Sequence, residues 1–205
     1  MIEFAAEERV EFADFLAGLD PAHWDAPSLC AGWSVRDVVA HVTSFDGMRP
    51  LELVGRLARN GFSLSRTNQA RMDEIAAEPP ALVDRVRARP AGVMKALGGT
   101  VALVDGLIHH QDIRRALDMP REIPRDRLRT ALKAGLKAPP IGAGPRAKGL
   151  RIVAEDLDWT RGEGPEVRGP GEALLMAFAG RPHALPDLAG PGVALLRGRM
   201  PRDTP

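Results

Sequence analysis

The chain has 205 residues, of which 44% are hydrophobic and 27% charged, and its formal net charge at pH 7 is +1. This length and balance are typical of a globular protein with one core, or one core and a small appendage. The near-neutral charge argues against a nucleic-acid or anionic-membrane partner, and three Trp, six Phe and no Tyr are too few aromatic residues for a single-strand stacking platform.

The chain contains one cysteine, Cys30, so an intrachain disulfide cannot form. We therefore expect a reducing compartment, the cytoplasm. We expect no secretory signal, because the N-terminal residues are rich in acids and lack a basic segment followed by an apolar one. We also expect no membrane span, since the sequence has no run of about 18 apolar residues.

The first half of the chain has the apolar spacing of helices. Residues 2–19 are predicted as a helix that ends at a Gly-Leu-Asp-Pro stop signal. The next helix has a clear start, because Ser34 can cap it and Asp37 follows three residues later in a variant of the capping box. His41 lies at the edge of the apolar stripe of this helix, so we expect its side chain to point toward the bundle interior or its rim.

Further helices are predicted at residues 51–59, 63–77, 81–95 (as one helix or as two) and 101–117. In the last of these, Asp105 and His109 are four residues apart and therefore side by side on one face. Asp112 lies on the same side, either as a hydrogen-bond partner for an imidazole or as a surface neighbour of an arginine. His110 points to a different face, and we expect it at the surface or at an interface.

The last third of the chain combines helices with short strands. Residues 125–137 are predicted as a helix, residues 138–149 as a flexible joint, and residues 150–154, 156–160 and 166–168 as strands. A helix at 172–179 and a tail at 185–200, interpreted as helix rather than strand, complete the chain. The predicted fold class is mainly α, with a bundle of four or more helices at residues 1–140 and a small α/β region at residues 149–205.

Three of these residues form a candidate metal site. An Asp105–His109 pair one helical turn apart can chelate one ion, and His41 from another helix could complete a facial triad with open positions for water or substrate. The alternative is that these are ordinary structural residues, and their spacing leaves both interpretations open. We interpret Cys30 as a small buried residue rather than a nucleophile, because the sequence identifies no basic partner for it.

Three segments carry a resemblance to a known family. Residues 32–42 (Gly-Trp-Ser-Val-Arg-Asp-Val-Val-Ala-His-Val) resemble the signature of the mycothiol-dependent maleylpyruvate isomerase family, a branch of the DinB-like superfamily, in which a similar run leads to a metal-binding histidine. Residues 105–117 resemble the family's Glu-x-x-x-His-x-x-Asp helix. Residues 156–182 resemble the C-terminal region of its actinobacterial members.

The resemblance implies a DinB-like four-helix bundle that binds a divalent metal through His41, Asp105 and His109, with zinc the first choice and nickel or another first-row metal as alternatives. It implies a thiol transferase or isomerase that uses mycothiol on a small electrophile. Arg114 and Arg115 become candidates for binding an anionic substrate or a thiol carboxylate. Whether the protein forms a homodimer is left open.

One position departs from the family pattern, because residue 105 is Asp where the family usually has Glu. The shorter side chain leaves two alternatives to the thiol-dependent enzyme. One is a degenerate, non-catalytic binding module, and the other is a metal-dependent hydrolase that needs no thiol.

Overall fold

The structure is a computed structural model that describes residues 1–75 and 78–201. The predicted class is confirmed, since the chain is mainly α with one small sheet. Its contacts divide it into two compact units, Met1–Pro120 and Arg121–Pro205; the sequence-based division into residues 1–140 and 149–205 stays a prediction. Residues 76 and 77 of the predicted helix 63–77, and the last four residues of the chain, lie outside the described residues.

The elements of the first unit, within its described part, are helices joined by loops. One 3₁₀ turn, Pro21–Asp25, follows the first helix. The α-helices are α1 (Ile2–Ala17), α2 (Val35–Val42), α3 (Pro50–Arg59), α4 (Leu64–Ile75), α5 (Pro79–Arg87), α6 (Val93–Ala96) and α7 (Thr100–Ala116). The predicted segment 81–95 is therefore two helices. No helix within residues 1–75 and 78–201 is both long and apolar enough to cross a bilayer.

The core of this unit lies where α1, α2, α5 and α7 meet. Helix α1 packs against α5 and α7, while α2 packs against α4, α5 and α7. The apolar stripe of α2 is buried completely at Val35, Val38 and Val39, where it joins Phe12 of α1 and Ile113 of α7 in one cluster. Burying such side chains stabilises the fold by roughly 1.5–3 kcal/mol each, so the hydrophobic pattern of α2 fixes which of its residues face α7.

Buried polar contacts join the same helices. Arg9 of α1 is 2% exposed and binds Asp46, just after α2, through two parallel hydrogen bonds of 2.6 and 3.0 Å. A paired, forked contact of this kind holds the two terminal nitrogens of a buried guanidinium in one fixed geometry. It therefore holds the segment that follows α2 close to α1.

The second unit combines helices with a three-stranded sheet. Its α-helices and strands are α8 (Arg125–Gly135), α9 (Ala143–Ala147), β1 (Arg151–Ala154), β2 (Trp159–Arg161), β3 (Glu166–Gly169), α10 (Gly171–Phe178) and α11 (Gly192–Arg197). Strand β1 lies in the centre, antiparallel to β2 and parallel to β3, so that Ile152 pairs with both Arg161 and Val167. Helix α10 packs against α8, β1 and β3.

Three predictions for this unit were wrong in detail. The predicted strand 156–160 begins only at Trp159, because residues 155–157 form a 3₁₀ turn and Asp158 takes a left-handed conformation with φ of +48°. The predicted joint 138–149 contains a 3₁₀ turn, Pro139–Ile141, and helix α9. The predicted tail helix is reduced to a 3₁₀ turn, Pro182–Asp187, and α11. Alternation and composition do not reveal such single-turn elements.

A pair of glycine substitutions tests the packing beside α6. Gly92→Ala should destabilise the protein by about 3 kcal/mol, because Gly92 has φ of +55° and an added Cβ would lie 2.3 Å from the Met48 carbonyl oxygen. Gly98→Ala is the matched control, since its φ is +65° but nothing lies within 4 Å of the added Cβ; we expect about 1 kcal/mol there. Urea denaturation measures both, and equal losses in the free energy of unfolding would contradict the prediction.

Candidate metal centre

The capping box of α2 determines where His41 lies. Ser34 Oγ accepts a hydrogen bond from the Asp37 backbone N–H, and Asp37 Oδ2 accepts one from the Ser34 N–H at 2.9 Å. The predicted start of this helix is therefore confirmed. Because α2 begins at Val35 and has only eight residues, His41 falls in its last turn, beside the face that packs against α7.

Helix α7 supplies the other two predicted residues. Asp105 and His109 project from successive turns of the same face, as their spacing predicted. Asp105 Oδ1 lies 3.7 Å from His41 Nε2 and 3.5 Å from His109 Nε2. One potential ligand atom from each of the three residues lies within 4.8 Å of the other two. The structure thus brings all three to a common point.

An asparagine that the sequence analysis missed orients His41. Asn68, on α4, is 7% exposed, and its Oδ1 lies 2.9 Å from His41 Nδ1. An amide oxygen only accepts hydrogen bonds, so the Nδ1 N–H of His41 donates to Asn68, and Nε2 faces Asp105. The buried Ser44 hydroxyl donates to the same oxygen at 2.8 Å, and the Asn68 amide N–H donates to Met72 Sδ. These contacts hold the amide in a single orientation.

A carboxylate and a thiol orient His109. The fully buried Asp112 places Oδ2 3.0 Å from His109 Nδ1, so that of the two alternatives predicted for Asp112 the structure shows the contact with an imidazole. Cys30 donates to the same oxygen at 3.1 Å and lies 3.5 Å from His109 Nδ1. The expectation that Cys30 is buried without a basic neighbour was therefore wrong, since it is partly exposed and adjoins His109. The loop before α2 folds onto α7, which sequence spacing cannot indicate.

Opposite charges govern the protonation of the cluster. Burial acts to raise the pKa of Asp105, but His109 and then His41 outweigh it and hold that pKa below its usual range. Burial acts to lower the pKa of His109, but Asp105 outweighs it, with help from Asp112 and Cys30, and raises the pKa of the imidazole well above its ordinary value. A cation at this point would therefore compete with an imidazole proton.

The indole of Trp33 flanks the two imidazoles. Its ring centroid lies 4.9 Å from that of His41 and 6.4 Å from that of His109, and the two histidine rings meet edge to face at 4.6 Å. Trp33 therefore supplies an apolar wall beside the polar cluster.

His110 lies apart from this cluster, and the expectation that it is a surface residue was wrong. It is fully buried, its Nδ1 lies 2.8 Å from Glu8 Oε1, and its ring stacks on Phe12. Arg114 Nε donates to His110 Nε2 at 2.8 Å, and its guanidinium lies over Phe15. Arg114 is thus engaged inside the bundle, and a role for Arg114 or Arg115 in binding an anion stays a prediction.

Fold and site together define a class of protein: a helical bundle in which two histidines and a carboxylate from two helices face a common point. The comparisons show what the chain is similar to. Residues 5–102 match the model of the mycothiol maleylpyruvate isomerase N-terminal domain. The match includes His41 and ends just before Asp105 and His109. The resemblance read from the sequence is thereby confirmed.

Two solved structures resemble nearly the whole chain. A histidine-to-alanine mutant of the mycothiol-dependent maleylpyruvate isomerase has a TM-score of 0.59 at 16% identity, and a second structure of that isomerase has a TM-score of 0.56 at 17% identity. Each comparison covers 98% of this chain and 93% of the other. At such identities the likeness establishes the fold. Comparison with curated proteins gives no significant match.

The contact between Asn68 and His41 predicts the outcome of two substitutions. Asn68→Ala should release the His41 ring from its single tautomer and cost about 1–3 kcal/mol, because the buried Ser44 hydroxyl loses its acceptor. Ser44→Ala, the control, leaves the amide in place and should preserve the tautomer. Nitrogen-15 NMR of the imidazoles distinguishes protonated Nδ1 from Nε2; an unchanged His41 signal in Asn68→Ala would refute the assignment.

Proposed function

We propose that this protein binds one divalent transition metal through His41, Asp105 and His109. We further propose that it acts as a thiol-dependent transferase or isomerase, with mycothiol as its thiol and a small electrophilic molecule as its substrate. The observation that carries the proposal is the convergence of three ligand atoms within 4.8 Å, beside a domain of the mycothiol maleylpyruvate isomerase type.

The distances in the cluster support a four-coordinate ion. Ligands about 2.0–2.2 Å from a tetrahedral zinc ion are about 3.4 Å from one another. The separations of Asp105 Oδ1 from the two Nε2 atoms, 3.5 and 3.7 Å, are close to this value. Two imidazoles and a carboxylate suit zinc, and nickel or another first-row ion is compatible with the same donors. Three protein ligands would leave a position for an exogenous molecule.

Residues of this chain orient the potential ligand atoms. Asn68 and Asp112 accept the Nδ1 protons of His41 and His109, so that both rings direct Nε2 to the same point. Asp105 supplies a negative charge there, and Trp33 excludes water from one side. A bound divalent ion would supply Lewis-acid chemistry, holding a thiol in its deprotonated, nucleophilic form.

The non-catalytic alternative depends on the shortness of Asp105. From a more distant helix, a carboxylate that lacks one methylene would not reach both imidazoles. Here Asp105 Oδ1 is within 4 Å of both Nε2 atoms, which favours direct coordination and an intact centre. The hydrolase alternative shares the centre and differs in needing water alone.

Metal binding is the first test. Protein purified without chelators should contain about one divalent ion per chain, and His41→Ala should weaken binding by about 100-fold or more, since loss of an outer partner alone costs about 10- to 100-fold. Elemental analysis and calorimetric titration with Zn²⁺ measure these quantities.

His183→Ala provides the control for this test, because His183 is exposed and lies in the second unit, outside the centre. Its ion content should match that of the unmodified protein. The same preparations, assayed with mycothiol and a small electrophile, should convert the electrophile only when both metal and thiol are present, with net loss of thiol in a transferase and none in an isomerase. Absence of any bound ion would rule out the proposed centre, whereas turnover with water alone would replace the transferase or isomerase by the hydrolase.

Substitutions at Asp105 separate an intact centre from a degenerate one. Because the shorter acid already lies at coordination distance, Asp105→Glu should change Zn²⁺ affinity by less than about tenfold, while the isosteric Asp105→Asn should lower it by about 100-fold. The measurement is competition with a chelating indicator. A sharp gain in affinity for Asp105→Glu would favour the degenerate module instead.

A further inference from the structure

His109 has a second set of potential metal ligands on the opposite edge of its ring. Its Nδ1 lies 3.5 Å from Cys30 Sγ and 3.0 Å from Asp112 Oδ2, and the last two atoms are 3.1 Å apart. We propose that Cys30, His109 and Asp112 form a second metal site, selective for soft, thiol-binding cations such as Cd²⁺, and that this site competes with the His41 centre for the same imidazole.

The separations fit direct coordination. Around a tetrahedral ion with a metal–sulfur bond of about 2.3 Å and a metal–nitrogen bond of about 2.0 Å, the two ligand atoms are about 3.5 Å apart. The observed distance from Cys30 Sγ to His109 Nδ1 is 3.5 Å. The oxygen contacts are shorter by a few tenths of an ångström, as expected while Asp112 accepts hydrogen bonds from both neighbours.

The loop that carries Cys30 is held firmly against α7. The Leu29 backbone N–H donates to the Asp112 carbonyl oxygen at 3.2 Å, and the Cys30 N–H donates to Ser28 Oγ at 3.1 Å. Asp112 is fully buried and His109 is 7% exposed, whereas Cys30 is partly exposed. The thiol is therefore the side from which an ion enters, and it reaches a preorganised pair of further ligands.

Ligand chemistry determines which ions this site selects. A thiolate is a soft ligand and prefers thiophilic cations, whereas the His41 centre offers only nitrogen and oxygen. A thiolate and the Asp112 carboxylate together carry two negative charges, which balance a divalent cation in a buried position. A divalent ion would displace the Cys30 thiol proton to solvent, and His109 would bind through Nδ1 while keeping a proton on Nε2, with no change of oxidation state.

The tautomers of His109 make the two sites mutually exclusive. A neutral imidazole has one lone pair, so an ion at Nε2 requires the proton on Nδ1, and an ion at Nδ1 requires it on Nε2. Each edge of the ring faces a carboxylate that can accept that proton, Asp112 on one side and Asp105 on the other. The ring can therefore serve either site, but only one at a time.

Cadmium titration of the metal-free, full-length chain tests this proposal, with His41→Ala used to remove the first centre. Both the unmodified protein and His41→Ala should bind one Cd²⁺ and develop the ultraviolet charge-transfer absorption of a cadmium–thiolate bond. Cys30→Ser replaces the thiol by a hydroxyl of nearly the same size and should abolish the absorption. It should also weaken Cd²⁺ binding by more than the roughly 10- to 100-fold loss in affinity that follows removal of a residue that only hydrogen-bonds to a ligand. Cys30→Ala should give the same results.

Exclusivity is tested by adding Cd²⁺ to protein loaded with Zn²⁺, where one Zn²⁺ should be released for each Cd²⁺ bound. Absence of thiolate absorption in His41→Ala overturns the proposal, as does simultaneous retention of both ions. The Cd²⁺ titration of His41→Ala is independent of the proposed function, because it needs no ion at the His41 centre. The exchange experiment rests on that centre, whose Zn²⁺ binding succeeds or fails in a separate titration.

Discussion

Helix α7 carries four consecutive polar residues through the interior of the bundle, and each must find a buried partner. His109, His110, Gln111 and Asp112 are all at most 7% exposed, and a buried polar group without a hydrogen bond costs about 1–3 kcal/mol. Their partners come from different parts of the first unit: Glu8 from α1 for His110, and Cys30 from the loop before α2 for Asp112. Satisfying α7 therefore dictates how the other segments are arranged around it.

The candidate centre follows from the same need to pair buried polar groups. Once α2 packs its valines against α7, His41 approaches the turn that carries Asp105 and His109, and the polar helix α4 must then supply the amide that satisfies the remaining imidazole nitrogen.

The sequence predicted those features that depend on local spacing. The start of α2 follows from Ser34 and Asp37, and the pairing of Asp105 with His109 follows from the helical repeat, because both involve residues within one turn of each other. Asn68 and Cys30 were missed as contacts, since each meets its histidine across a long stretch of chain and neither has a periodic signature. His110 was misplaced because a helix buried on all sides offers no polar face from which to judge orientation.

The two adjacent histidines of α7 also differ in what they are free to do. Arg114 carries a permanent positive charge and donates to His110 Nε2, while Glu8 takes up the other edge of that ring. The lone pair of His110 is thus already committed, and an added proton there would face a guanidinium. Next to it, each ring nitrogen of His109 faces a carboxylate, Asp105 on one edge and Asp112 on the other. Two identical side chains, one residue apart, therefore have different roles: His110 is held in place by hydrogen bonds at both ring nitrogens, whereas His109 has potential metal ligands beside each of its nitrogens. The difference comes from their neighbours.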